Sequence, residues 1–119
     1  MSFKTLLAYE KGFDLAMEIF HLTKIFPASE QFVLSSQIIR SSRAVCSAIA
    51  EGYRKRQYEK HFKSKLSDAD SENSETQLWL DFALACGYID ELKKQELQKK
   101  SGEVGKLLNY MINNPNKFG

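Results

Sequence analysis

Proline, glycine and cysteine are all scarce in this sequence, and each scarcity excludes a class of structure. Two prolines and six glycines leave long stretches without a helix breaker. Cys46 and Cys86 are too few to form a disulfide framework. No apolar run approaches the roughly 18 residues of a membrane span. The opening segment MSFKTLLAYE lacks the apolar core and cleavage site of a signal peptide, so we expect a cytoplasmic protein without a membrane partner.

The composition is nevertheless that of a folded protein. Hydrophobic residues make up 43% of the chain and include eight phenylalanines, which is enough to bury a core. A length of 119 residues fits a single domain, so we expect one domain over residues 1–119. The net charge of +2 is too small to indicate any partner by itself.

Apolar residues spaced three and four apart predict two helices in the first half of the chain. The first runs from about Tyr9 to Phe26 and ends before Pro27, because the residue preceding a proline is driven out of helical geometry. Its stripe is Phe13, Met17, Phe20 and Lys24, with Ala16 and Ile19 beside it. For the second helix we expect an N-cap at Ser29 and a bend or end at Gly52. Its inner seam is Leu34, Ile38, Ser42, Val45 and Ile49.

The second half of the chain predicts two more helices. The third runs from about Tyr58 to Cys86 and is terminated by Gly87. Its stripe is Phe62, Leu66, Ala69, Asn73, Thr76, Leu80 and Ala83. Asp90 caps the fourth, whose inward residues are Leu97, Val104, Leu107, Leu108 and Met111. No segment alternates as a strand does, so the prediction is an all-α, antiparallel, up-and-down four-helix bundle.

Charge is distributed unevenly along the chain. Residues 40–65 carry eight Lys or Arg against two Glu, whereas residues 66–91 carry seven acids and no Lys or Arg. If the second and third helices fold back around Gln57, Arg40 and Arg43 lie level with the acidic half of the third helix. We therefore expect both arginines to pair with acids, within the chain or across a subunit contact.

The positive charges nearest the turn have no such acids beside them. Glu51 and Glu59 can each take one partner four residues on, Lys55 and Lys63. The excess forms a basic pole at one end of the hairpin, made of Arg54, Lys55, Arg56, Lys60 and Lys63. Tyr53 and Tyr58 flank it, and this combination suits nucleic acid, since cations neutralise phosphates and tyrosine stacks on unpaired bases. The alternative is a solvated turn on a protein-interaction or self-assembly scaffold that binds no nucleic acid.

Signals for catalysis and for metals are weak. Cys46 and Cys86 differ in height by about 27 Å in the predicted hairpin, so within one chain they cannot share a metal or a disulfide. His21 and His61 are isolated, and no HExxH, CxxC or phosphate-loop pattern occurs. Glu18 and His21 have the Glu-x-x-His spacing of a di-metal bundle, but in a single copy. We expect no catalytic residue, no metal and no cofactor.

Short motifs distributed over most of the chain resemble a known family. In the first helix they are YEK at 9–11, DLA at 14–16, LTK at 22–24 and FP at 26–27. Further along they are QIIR at 37–40, IAEG at 49–52, ETQL at 75–78 and GYI at 87–89. In order and spacing they resemble the four-helix bundle proteins encoded in intervening sequences of bacterial 23S ribosomal RNA genes. Cys46 and Ala48 stand where that family often has Pro and Asn, which puts a kink of the second helix in doubt.

The resemblance implies a bacterial four-helix bundle that assembles as a ring-shaped homopentamer. The accessory protein of diversity-generating retroelements looks like a relative and forms a basic pentameric barrel that binds nucleic acid and a reverse transcriptase. Carried over, this implies RNA or DNA binding through the basic pole, with a reverse transcriptase or another protein as a further partner. It implies no catalysis.

Overall fold

The structure, a computed structural model, describes residues 2–118. Over this part of the chain it contains four α-helices and no strand. They are α1 (Leu7–Thr23), α2 (Leu34–Arg54), α3 (Glu59–Ala85) and α4 (Glu91–Asn113). Short 3-10 turns lie at Phe3–Thr5, Ala28–Glu30 and Pro115–Lys117. Each helix packs against the next and α1 also packs against α4, giving a closed bundle of 44 × 25 × 20 Å. The predicted fold is confirmed.

The predicted inner faces of α2 and α3 are confirmed residue by residue. All seven members of the α3 stripe and all five of the α2 seam are buried. Small side chains let these two helices approach closely, and Ser41 and Thr76 meet between them with their hydroxyl oxygens 2.8 Å apart. In α4 the predicted residues are also buried except Leu107, which is half-buried, and Ser101 is buried in addition.

The buried face of α1 differs from the predicted stripe. Phe13 and Met17 are 48% and 38% exposed, and Lys24 is exposed at the end of the helix. The residues that face the bundle are smaller: Ala8, Gly12, Leu15, Ala16 and Ile19. The sequence predicts that the large side chains of α1 face the core. In the structure α1 lies close to α2, and the side with Ala8, Gly12 and Ala16 is the one that allows this approach. A Cβ on Gly12 would lie 3.5 Å from Cys46 Sγ.

The connection from α1 to α2 corrects the expected N-cap. Ser29 lies in the 3-10 turn before α2 and does not cap the helix, which begins at Leu34. The first helical amide is satisfied by Glu30, whose Oε1 accepts from Leu34 N at 3.3 Å. The other oxygen of Glu30 accepts from the Tyr88 hydroxyl at 2.7 Å, which raises the pKa of Tyr88 to about 12. One carboxylate therefore joins the start of α2 to the α3–α4 connection.

The α3–α4 connection matches its sequence signals. Gly87 has φ +78°, the left-handed conformation that terminates a helix and that glycine adopts without strain. Asp90 caps α4 by accepting from Lys93 N at 2.7 Å. α2 is helical through Cys46, Ala48 and Gly52 and ends at Arg54, two residues beyond the glycine at which the sequence predicts an end or a bend. None of the helices in residues 2–118 combines the length and apolarity needed to cross a membrane.

Candidate nucleic-acid interface

The turn between α2 and α3 is short and internally hydrogen-bonded. Lys55 N donates to Gly52 O at 3.0 Å, and Arg56 N donates to Tyr53 O at 3.2 Å. Tyr58 N then donates to Lys55 O at 2.8 Å before α3 begins at Glu59. Because these bonds satisfy the backbone locally, the turn presents its basic side chains from one ordered conformation.

Of the two acids near the turn, one pairs with the lysine expected and the other does not. Glu59 pairs with Lys63 as predicted, with Nζ and Oε2 3.8 Å apart. The predicted pair of Glu51 with Lys55 is wrong: Glu51 reaches across to α3 and bonds Lys65 at 2.9 Å. This hydrogen bond is the main reason that the pKa of Lys65 is raised. Lys55 is thereby left without its expected partner.

The basic pole consequently keeps charges that nothing offsets. Among the described residues, no carboxylate lies within ion-pair distance of Arg54, Lys55 or Lys60, and all three are exposed. Arg56 is half-buried because its guanidinium lies 4.2 Å above the ring of Tyr53 and donates to Tyr53 O at 3.0 Å. Exposed cations without acids are what a phosphate backbone binds.

The two tyrosines beside the turn have different environments. Tyr53 is only 6% exposed and belongs to the core, with Arg56 covering its ring. The prediction that a base stacks on Tyr53 is therefore wrong, although the ring of Tyr53 positions Arg56. Tyr58 is 55% exposed and lies edge-on to His61, with ring centroids 6.2 Å apart. Of this pair, Tyr58 is the tyrosine that a base can reach.

Arg40 and Arg43 lie farther along α2 and behave differently. Arg40 donates to Glu72 at 3.0 Å and to Glu75 at 2.6 Å, as predicted; the hydrogen bond from Arg40 is the largest cause of the lowered pKa of Glu75. Arg43 makes no ion pair with an acid of residues 2–118 and instead lies 5.4 Å from the ring of Phe20. The pairing expected within the chain is thus confirmed for Arg40 and wrong for Arg43.

Two open grooves lie at the basic pole. The first, which we call the Tyr58 groove, has a volume of about 760 Å³ and is lined mainly by Ser2, Phe3, Arg54, Lys55, Arg56 and Tyr58. The second, the Lys117 groove, has a volume of about 630 Å³ and is lined by Thr5, Leu6, Leu7, Tyr53, Arg56, Lys117 and Phe118. Tyr53 and Arg56 line both, so the two grooves adjoin.

Residues from both ends of the described chain therefore join the pole, which reasoning on the α2–α3 turn alone did not find. Phe3 comes from the turn before α1, whereas Lys117 and Phe118 come from the turn after α4. The signal was present in the predicted topology. In an up-and-down bundle the start of the first helix and the end of the fourth lie at the same end as the middle turn.

Other side chains that sequence reasoning weighed for chemistry do not come together. In residues 2–118 no three His, Cys, Asp or Glu side chains form a group suited to a metal ion. Glu18, the first residue of the Glu-x-x-His pattern that ends at His21, accepts from Lys100 Nζ at 2.7 and 2.8 Å. Cys46 and Cys86 are both free thiols, and burial raises the pKa of Cys46 to about 11.

The fold and this surface together define a four-helix bundle with a basic end. The family model described as "23S rRNA-intervening sequence protein" matches residues 4–110, and the chain belongs to that family. A comparison with proteins of curated function finds no match. The chain is also similar to a crystal structure from Bacteroides thetaiotaomicron VPI-5482, described as a protein with unknown function from the S23 ribosomal protein family. The two are 30% identical with a TM-score of 0.81, over 90% of this chain and 96% of that one.

Proposed function

We propose that this protein is a non-enzymatic, oligomeric helical bundle that binds RNA or DNA through the basic pole. The observation that carries the proposal is the set of exposed cations Arg54, Lys55 and Lys60, which no carboxylate of the described chain neutralises. They stand beside an open groove with an exposed aromatic ring. The family description supports a context of ribosomal RNA genes, and an accessory role beside a nucleic-acid enzyme is the part that rests on resemblance.

The mechanism is neutralisation of phosphates with release of their counterions. Each Lys or Arg that contacts a phosphate steepens the fall of affinity with salt, by roughly 0.7 in the log–log slope for a single strand. A single pole offers few such contacts, so one copy binds weakly. Several copies on one strand multiply this weak affinity, because each further contact is intramolecular.

Self-association is supported by apolar surface that the bundle leaves uncovered. On α1 the exposed stripe contains Phe13 and Met17 and ends at Phe20, where Lys24 and Arg43 lie over the ring. On α3 Leu78 and Phe82 are exposed, and the carboxylates of Glu75 and Asp81 stand at neighbouring positions. Arg40 and Lys94 neutralise these two carboxylates within the chain, so it is the apolar side chains that offer contact area. Two different exposed apolar surfaces on one molecule are what a heterologous contact between copies requires.

The second candidate function is a scaffold that binds only protein, and the same two surfaces favour it. Aromatic residues, methionine and arginine are enriched in the centres of protein interfaces; α1 exposes Phe13 and Met17, and Arg43 of α2 lies beside Phe20 at the end of the same stripe. A scaffold of this kind self-associates or docks a partner without any dependence on the basic pole. Nucleic-acid titration distinguishes the two candidates.

The test is a titration of labelled single-stranded RNA, single-stranded DNA and duplex at several salt concentrations, between about 50 and about 200 mM. We expect binding that weakens steeply with salt. The triple variant Arg54→Glu, Lys55→Glu, Lys60→Glu should lose about two units of the log–log salt slope, since three phosphate contacts are removed.

The matched control carries the same change of charge on α4, outside the pole and the α1 surface: Lys93→Glu, Lys99→Glu and Lys106→Glu. It should keep the wild-type salt slope to within about half a unit, because its lysines make no phosphate contact if binding is confined to the pole. If the overall charge of the protein were responsible instead, both triple variants would lower the slope equally. If the wild-type protein binds none of the three nucleic acids even at low salt, the nucleic-acid function is wrong and the scaffold remains.

A further inference from the structure

The two grooves at the basic pole meet at one residue pair. Arg56 lies over the ring of Tyr53, and both residues line the Tyr58 groove on one side and the Lys117 groove on the other. The stacking contact and the hydrogen bond from Nη1 to Tyr53 O hold the guanidinium in place, and this bond uses one of the five N–H donors of the group. A chain of phosphates that passes from one groove to the other must cross Arg56.

In the Tyr58 groove an exposed aromatic ring stands on an ordered backbone. The backbone of Tyr58 is hydrogen-bonded on both sides, because its N–H donates to Lys55 O and its carbonyl accepts from Phe62 N at 2.9 Å. Little backbone freedom is therefore lost when a ligand stacks on this ring. Lys55 and Arg54 line the same groove and provide charge for the adjoining phosphates.

Beside the Lys117 groove lies a second aromatic ring, Tyr110, which contacts two of the residues that line the groove, Lys117 and Phe118. Lys117 Nζ donates to the Tyr110 hydroxyl at 3.0 Å and lies 5.4 Å from the centroid of that ring. This hydrogen bond to the Tyr110 hydroxyl raises the pKa of Lys117, so it favours the charged ammonium. Phe118 stands edge-on to Tyr110 with ring centroids 6.2 Å apart, and Tyr110 is 42% exposed. A tyrosine paired with a cation therefore stands at the edge of the second groove, as Tyr58 stands beside Arg54 and Lys55 in the first.

We propose that the pole is a track for single-stranded RNA or DNA, in which one base stacks on Tyr58, another stacks on Tyr110, and the connecting phosphates lie over Arg56. This assignment rests on the proposed function and names the form of nucleic acid that the pole takes. A duplex keeps its bases stacked inside and offers the grooves only its backbone. Unpaired bases are the groups that exposed rings recognise, with roughly 1–3 kcal/mol per stacked base.

The experiment compares the affinity of single-stranded RNA, single-stranded DNA and a duplex of equal length for four variants. Tyr58→Leu and Tyr110→Leu remove a ring and keep an apolar side chain, whereas Tyr58→Phe and Tyr110→Phe keep the ring. We expect each leucine variant to bind single strands about tenfold more weakly and both phenylalanine variants to bind like wild type. Duplex affinity should change in none of them. Phe32→Leu, at an exposed phenylalanine in the α1–α2 connection, is the control and should bind every ligand as wild type does.

Circular dichroism and the unfolding midpoint confirm that each variant is folded before binding is compared. If the leucine variants lose duplex and single-strand affinity equally, or lose neither, the track is wrong while the charge-reversal result still decides the proposed function. If the wild-type protein binds no nucleic acid, both the proposed function and the single-strand track are wrong. If the leucine variants lose affinity equally for single-stranded RNA and DNA, the track contacts bases and phosphates. If they lose affinity for RNA alone, the track also contacts the 2′-hydroxyl.

Discussion

At the scale of the residue, two glycines of this bundle occupy opposite environments. Gly52 lies where α2 and α3 are closest: a Cβ placed there would be 3.2 Å from Lys65 Cβ and 3.5 Å from Leu66 Cδ2. Gly102 lies in α4 with no atom within 4 Å of such a Cβ. Both residues are helical, so the difference between them is packing and not backbone conformation.

Alanine substitutions at these glycines should therefore have different effects on stability. Gly102→Ala gains helix propensity without a contact and should raise the free energy of unfolding by about 1 kcal/mol. Gly52→Ala gains the same propensity but pushes α3 away, and we expect it to be at least about 1 kcal/mol less favourable than Gly102→Ala. Urea unfolding of both variants measures this difference, and equal stabilisation would show that the helices tolerate a wider separation.

At the scale of the element, α3 pairs with α2 and α4 through polar groups as well as apolar ones. The buried apolar residues form two clusters, one around Phe62 and Leu108 and the other around Ile38 and Leu97. Along α3 the buried polar residues Asn73 and Thr76 lie between Leu66 and Leu80, which belong to different clusters. The polar layer sets the register of the helices, because its hydrogen bonds form at one alignment only.

Asn73 is the centre of the α3–α4 contact. Its Nδ2 donates to Ser101 O at 2.9 Å, and its Oδ1 accepts from Ser101 Oγ at 2.8 Å. Asn73→Ala removes these bonds and leaves the buried Ser101 without them, so the free energy of unfolding should fall by roughly 1–3 kcal/mol. Asn109→Ala, at an exposed position of α4, should change it by less than about 0.5 kcal/mol. An Asn73→Ala protein as stable as wild type would contradict the role given to this layer.

At the scale of the whole molecule, surface charge and exposed apolar surface lie in separate regions. The basic pole and its grooves occupy the end formed by the α2–α3 turn, Phe3–Thr5 and Pro115–Lys117. The apolar stripe of α1 runs along one side, and Leu78 and Phe82 lie on α3 toward its C-terminal end. Self-association through these side surfaces leaves the pole of every copy open to nucleic acid, which is the arrangement that avidity requires.

A heterologous contact between the α1 and α3 surfaces can be tested by mixing variants. Phe13→Asp should damage one surface and Phe82→Asp the other, so each variant alone should have a lower mass than wild type by light scattering. Each variant keeps the surface that the other has lost, so an equimolar mixture should form mixed dimers. The proposed contact is wrong if the wild-type protein is monomeric at all concentrations, or if the mixture of variants stays monomeric.

The candidate site could be predicted from the sequence only where local patterns decide the environment. The basic cluster, the exposed position of Tyr58 and the pair of Arg40 with its acids follow from spacing and from the hairpin. Glu51 was assigned the wrong lysine because a contact across the hairpin, to Lys65, outcompetes the partner four residues along its own helix. The charged neighbours of Tyr53 in the sequence suggest an exposed ring, yet this ring packs in the core and Arg56 covers it.

The amino-acid sequence by itself determined the four helices, their order and the buried faces of α2 and α3, because the period of apolar residues and the signals of Gly87 and Asp90 act within one helix or one turn. Only the tertiary structure decided which face of α1 is buried and which residues join the pole. The reason is that a single period cannot tell a core stripe from an exposed one. Phe3, Tyr58 and Lys117 are distant along the chain and meet only when the bundle closes.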